Sequence, residues 1–86
     1  MGHISVEVGS ALGLHARPAT IIADTVQAAG IAVTLSLPGG KPIDAGSGLM
    51  IMTLGASKGT TVIVTSEHQP TLERIADLVA ADLDAD

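Results

Sequence analysis

Gly13-Leu14-His15-Ala16-Arg17-Pro18-Ala19-Thr20 ends a loop and starts a helix. Pro18 falls in the first helical turn, where its missing N–H has no partner to lose. Apolar positions then recur at Ala19, Ile22, Ala23, Val26 and Ala29, on one helical face, and Gly30 is placed to stop the helix. Upstream, Ile4-Ser5-Val6-Glu7-Val8 alternates apolar with polar and reads as a half-buried strand, followed by a loop over residues 9–13. Downstream, Ile31, Val33, Leu35 and Leu37 share one face of a second strand. Pro38-Gly39-Gly40 turns the chain, and residues 41–44 return as a short third strand, so the pair is a hairpin.

The rest of the chain follows the same logic. Residues 47–54 are compact and apolar between a Ser cap and Gly55, which predicts a short helix. In it Met50 and Met52 point to opposite sides, one into the core and one outward as an adaptable contact. Residues 60–65 are rich in β-branched side chains and predict a strand. Pro70 opens a last helix whose face is Leu72, Ile75, Ala76, Val79 and Leu83. Asp82, Asp84 and Asp86 oppose the helix dipole, so that end is expected to fray. The string β-α-β-β-α-β-α packs most economically as an α+β two-layer fold, with helices on one face of a mostly antiparallel sheet. Residues 1–86 are expected to form one domain.

Composition narrows the function. The chain has no Phe, Tyr, Trp or Cys, so aliphatic side chains and Ala must fill the core. Thiolate metal sites, disulfides and a cysteine nucleophile are excluded. Four Lys and Arg against nine Asp and Glu give a net charge of −5. Without base-stacking platforms, and repelled by phosphate backbones, such a chain is not expected to bind nucleic acid. No apolar run approaches the about 18 residues of a membrane span, and the first ten residues do not read as a signal peptide. A soluble, cytoplasmic protein is expected. The three histidines, His3, His15 and His68, have no ligand spacing relative to one another, so neither a metal nor another cofactor is expected. Gly40-Lys41 lacks the rest of a phosphate loop, and the Gly46 and Gly48 pair is explained by turn and capping chemistry.

The junction at residues 13–20 carries the chemistry. His15 sits at the N-cap, beside the free N–H groups of Ala16 and Arg17. Those donors and the positive end of the helix dipole favour an anion. The Arg17 guanidinium is within reach of the same anion, and its fork fits phosphoryl oxygens. The residues also fit a capping loop whose histidine is merely exposed.

Gly-Leu-His-Ala-Arg-Pro-Ala resembles the active-site signature of HPr, the histidine-containing phosphocarrier family of the bacterial phosphoenolpyruvate-dependent sugar phosphotransferase system. Residues 45–55 are similar to that family's regulatory-serine segment, and Gly59-Thr60-Thr61-Val62-Ile63-Val64 to its last strand. The resemblance covers essentially the whole chain. It implies an open-faced β-sandwich: a four-stranded antiparallel sheet in the order 1-4-2-3 with three helices on one face. It also implies that His15 accepts a phosphoryl group through Nδ1, that Arg17 stabilises it, and that Ser47 is the position a dedicated kinase modifies in some members. Ala16, Thr20, Leu49 and Met52 occupy the docking positions. Three residues depart from the family's pattern: Leu12 replaces a common polar residue, Gly48 an apolar contact, and Gly46 a frequent Lys or Ser. The first two bear on partner preference and the third on modification of Ser47.

The function implied is a phosphocarrier and not a catalyst, accepting from enzyme I and donating to enzyme IIA units, and monomeric. The alternatives are a regulatory binding module in which a serine kinase acting on Ser47 controls docking to a transcription regulator, and a carrier of a parallel nitrogen-related system. A third is an α+β domain that binds a small molecule without phosphate chemistry.

Overall fold

The run Thr61-Val62-Ile63-Val64-Thr65-Ser66 has side chains suited to a pleated surface with neighbours on both edges. In the computed structural model, which describes residues 2–83, it is the inner strand that joins the two halves of the sheet. The elements are β1 (Gly2–Glu7), α1 (Ala16–Ala29), β2 (Val33–Ser36), β3 (Ile43–Asp44), α2 (Gly48–Thr53), β4 (Thr61–Ser66) and α3 (Gln69–Ala80). The strands lie in the order β1-β4-β2-β3, and every neighbouring pair is antiparallel. This is the order that the resemblance implied.

Register follows from the hydrophobic pattern. Ile4, Val64, Leu35 and Ile43 face one another in a row across all four strands. Val33, Leu35, Val62 and Val64 are buried, whereas Ser5, Thr61 and Ile63 alternate to the other, open face. The helices cover the first face with Ala19, Ile22, Ala23 and Val26 from α1 and Leu72, Ile75, Ala76 and Val79 from α3. The core is built from aliphatic side chains and Ala, as the composition requires.

Local signals fix the boundaries. Gly30 caps α1 in the left-handed region at φ 67°, its N–H shared by the carbonyls of Val26 and Gln27. In Leu37-Pro38-Gly39-Gly40, the proline, the positive φ of Gly39 and the 2.8 Å bond from the Gly40 N–H to the Leu37 carbonyl are type II turn chemistry. The returning strand is shorter than the alternation predicts, because Pro42 has no N–H to give a ladder. β1 starts earlier than expected, and Val8 leaves the sheet yet remains buried. Leu83 and Asp82 lie past the end of α3. Leu83 packs on the core and the Asp82 Oδ1 accepts the Ala11 N–H at 3.4 Å. Asp84 and Asp86 lie outside the described residues.

Two expected core positions are corrected. Ala29 is exposed, because a cavity lined by Asp24, Thr25, Ala28, Ala29, Thr71 and Arg74 opens between the end of α1 and the start of α3. Met50 and Met52 are both exposed, at 39% and 40%, and Ile51 is the buried residue of α2. At about 100° per residue, each methionine lies one step to either side of Ile51, so neither faces the core. Ile51 therefore anchors α2 alone. Ile51→Ala should lower stability by about 2–5 kcal/mol, whereas Met50→Ala and Met52→Ala should each stay within about 0.5 kcal/mol in urea unfolding.

Candidate functional site

α1 begins where the sequence places it. His15 is its N-cap, with extended φ and ψ of −82° and −166°, and its carbonyl accepts the Ala19 N–H at 2.9 Å as the first helical bond. Its imidazole makes no capping hydrogen bond and is exposed. The ring is thus held by its backbone and left available at both nitrogens for chemistry. Behind it, the N–H groups of Ala16 and Arg17 belong to the first turn, which has no intrahelical acceptors for them. The exposed Arg17 is on the same turn, and that turn contains no acidic side chain to compete with an incoming anion. Pro18 turns inward and is buried, so the turn presents Arg17 and Thr20 while Pro18 and Ala19 secure it.

The loop before His15 is fastened to the chain that leaves α2. Leu14 buries its side chain, and its N–H donates to the Ala56 carbonyl at 2.9 Å. Gly13 lies flush on the same segment: a Cβ there would stand 2.4 Å from the Ala56 carbonyl oxygen, and its φ of 77° suits glycine. Consequently His15 and Met52 line one shallow hollow of about 230 Å³, with Leu12, Leu14, Gly55, Ala56 and Ser57. That space is smaller than the about 300–1,000 Å³ of a typical small-molecule site.

α2 packs against the start of α1. Gly48 faces the Ala19 carbonyl and Thr20 N–H region, where a Cβ would meet them at ordinary contact distance, 3.7–3.9 Å. Leu49 stands out from this helix with 71% of its surface exposed. Thr20, Ala16, Leu49 and Met52 are all exposed, on the two helices that meet here. Leu12, at 69%, and Met50 join them, so every large hydrophobic exposed among the described residues lies on the loop before His15 or on α2. The part of Leu12 was not visible in the sequence as anything beyond a departure from the family's pattern. An apolar residue in a polar loop was the available signal. Ser47 is half-buried, and its Oγ accepts the Met50 N–H at 3.2 Å, which makes it the cap of α2.

His3 and His68 are far from this constellation in role. His3 is exposed on the outer strand β1, and His68 Nδ1 is 2.7 Å from the Thr71 Oγ1 at the start of α3. Among the described residues no cluster of three or more His, Cys, Asp or Glu could hold a metal ion, and no helix is long and apolar enough to cross a membrane.

Known proteins are similar to this chain in sequence and fold. The family described as the PTS HPr component phosphorylation site matches residues 3–81. Phosphocarrier protein HPr of Streptomyces coelicolor is 40% identical over 87 residues, covering 98% of this chain and 94% of that protein. The crystal structure of HPr-C-His from Thermoanaerobacter tengcongensis superposes with a TM-score of 0.87 at 26% identity, covering 100% of this chain and 99% of the other. A phosphocarrier protein HPr from Bacillus anthracis gives 0.83 at 27% identity over 91% of this chain and 95% of its own. With sequence likeness from β1 to the end of α3, and the strand order shared as well, the chain belongs to the HPr component family of the phosphotransferase system.

Proposed function

We propose that this chain carries a phosphoryl group on His15, taking it from enzyme I charged by phosphoenolpyruvate and giving it to the enzyme IIA unit of a sugar transporter. The observation that carries this reading is an exposed imidazole, free of capping bonds, at the start of a 14-residue helix with Arg17 on its first turn. The lone pair of Nδ1 attacks phosphorus in line, the new N–P bond forms, and the bond to the donor breaks with its electron pair. Two N–H groups and one guanidinium stabilise the three oxygens. A cradle of that size is strong enough to receive the group and weak enough to release it, and the larger partners supply the remaining charge stabilisation. No resident cofactor is needed for this exchange.

Docking belongs to the apolar surface around His15, made of Leu12, Leu49, Met50 and Met52 with Ala16 and Thr20 at its edge. A pair of proteins that must part in every cycle needs a small interface with few anchors. Modification of Ser47 by a serine kinase would place a charge on this same face, beside Leu49, and so act on docking. The cap bond from Met50 favours the plainer reading, in which Ser47 holds α2 and the carrier role is primary.

Intact mass after incubation with enzyme I and phosphoenolpyruvate tests the assignment. The wild-type chain should gain one phosphoryl group, labile in acid and stable in alkali as an N–P bond is. His15→Ala should gain none while staying within about 0.5 kcal/mol of wild-type stability, because the ring makes no structural bond. Phosphorylation of the Ala variant at the wild-type rate would overturn the assignment.

Arg17→Lys keeps the charge and loses the planar fork, so transfer should slow by about tenfold with the melting temperature unchanged. Wild-type rates in both Arg17→Lys and Arg17→Ala would remove Arg17 from the site. Leu49→Asp should weaken half-saturation by enzyme I by about tenfold or more, leaving the circular dichroism spectrum intact. Normal binding by that variant would place the docking surface elsewhere.

A further inference from the structure

Two buried serines clamp the opposite ends of α3, and one of them adjoins the His15 loop. Ser10 exposes none of its surface. Its Oγ donates to the Ala81 carbonyl at 3.3 Å and accepts the Leu83 N–H at 3.1 Å, both on the segment that leaves α3. Its own carbonyl accepts the Gly13 N–H at 2.9 Å, closing a turn over residues 10–13. Gly13 and Leu14 then lie against Ala56, and His15 follows. Ser66, 3% exposed, does the equivalent work at the other end of α3. Its Oγ donates to the Ala32 carbonyl at 3.0 Å and accepts the His68 N–H at 3.2 Å. Ser66, Ala32 and His68 line a different cavity, which contains neither His15 nor Met52.

We infer that Ser10 is a positioning residue for phosphoryl transfer through His15: its hydroxyl fixes the 10–13 turn to the end of α3 and thereby sets the imbedded end of the loop that carries the imidazole. The inference rests on the phosphocarrier reading of His15. In-line displacement is sensitive to placement, a shift of about 1 Å being able to cost as much as a hundredfold in rate. A reacting group is held to that tolerance by supporting hydrogen bonds behind it. The Ser10 hydroxyl takes no part in the sheet and is shut off from solvent. Its neighbours keep their own ties, through the Gly9 N–H to the Val79 carbonyl and the Ala11 N–H to Asp82. Removing the hydroxyl therefore loosens the turn and does not release it. Docking anchors on α2 are untouched.

The test compares full-length wild type, Ser10→Ala, Ser10→Cys and Ser66→Ala in single-turnover transfer from phosphorylated enzyme I. Ser10→Ala should transfer about tenfold more slowly at saturation, with a smaller change in half-saturation, because Leu12 lies in the loosened turn while Leu49, Met50 and Met52 stay in place, and with a shifted His15 imidazole resonance. Ser66→Ala should lose a similar number of degrees in melting temperature and keep the wild-type rate and resonance. Ser10→Cys, which keeps the size and a weak hydrogen-bonding atom, should fall between, and it decides by the same criteria if Ser10→Ala does not fold. A wild-type saturated rate in the Ser10 variants overturns the inference, as does an equal slowing in Ser66→Ala, which would mark general destabilisation. A wild-type chain that takes no phosphoryl group overturns the phosphocarrier reading and the inference together. A wild type that is phosphorylated beside unaffected Ser10 variants removes the inference alone.

Discussion

β4 has to satisfy its backbone on two edges at once. A strand buried on one face with unpaired N–H and C=O groups would carry a prohibitive desolvation penalty, so β1 and β2 must both reach it. β1 is the first element of the chain and β4 the sixth, and their pairing runs the full length from Gly2 with Ser66 to Glu7 with Thr61. The sheet is thus completed only when distant parts of the chain meet, which ties its formation to loop closure and not to local propensity.

That same pairing places the functional loop. Beyond Glu7 the two strands part, yet the Val8 N–H still reaches the Thr60 carbonyl and the Gly59 N–H the Val8 carbonyl. This continuation draws residues 56–57 alongside 13–14, and α1 can then start only where Leu14 meets Ala56. α2 arrives from the other side, attached through Ile51 and joined to the same segment by Leu54 and Gly55. His15 and the apolar surface of α2 become neighbours because one bend of chain belongs to both. The exposed histidine follows a segment that is itself well buried, where Leu14 is tied to Ala56.

Features settled within a few residues were legible in the sequence. The N-cap at His15, the left-handed stop at Gly30, the Ser47 cap, the type II turn and the proline near the start of α3 each depend on backbone chemistry close by. The β-branched run of β4 is of the same kind. The strand order came from the resemblance, since alternation in a strand says which face is buried and nothing about which strand lies beside it. The ties of Ser10 to Ala81 and Leu83 span more than seventy positions, and no local pattern announces them. The outward placing of both α2 methionines is not legible in the sequence, because a six-residue helix holds too few positions for its periodicity to show that Ile51, and neither neighbour, is the centre of the buried stripe.

A core without aromatic rings has a magnetic consequence. Ring currents normally spread the methyl resonances of a protein interior, and here Val, Leu and Ile pack against one another with no such source among them. The three histidines are the side chains of the sequence with an aromatic ring, and all are exposed. Methyl groups of the core should therefore crowd together in the spectrum. Those of Leu12, Leu14 and Met52 line the hollow with the His15 imidazole and can be displaced from the crowd. In such a spectrum the interior is nearly uniform, and the hollow beside His15 is the place that stands apart.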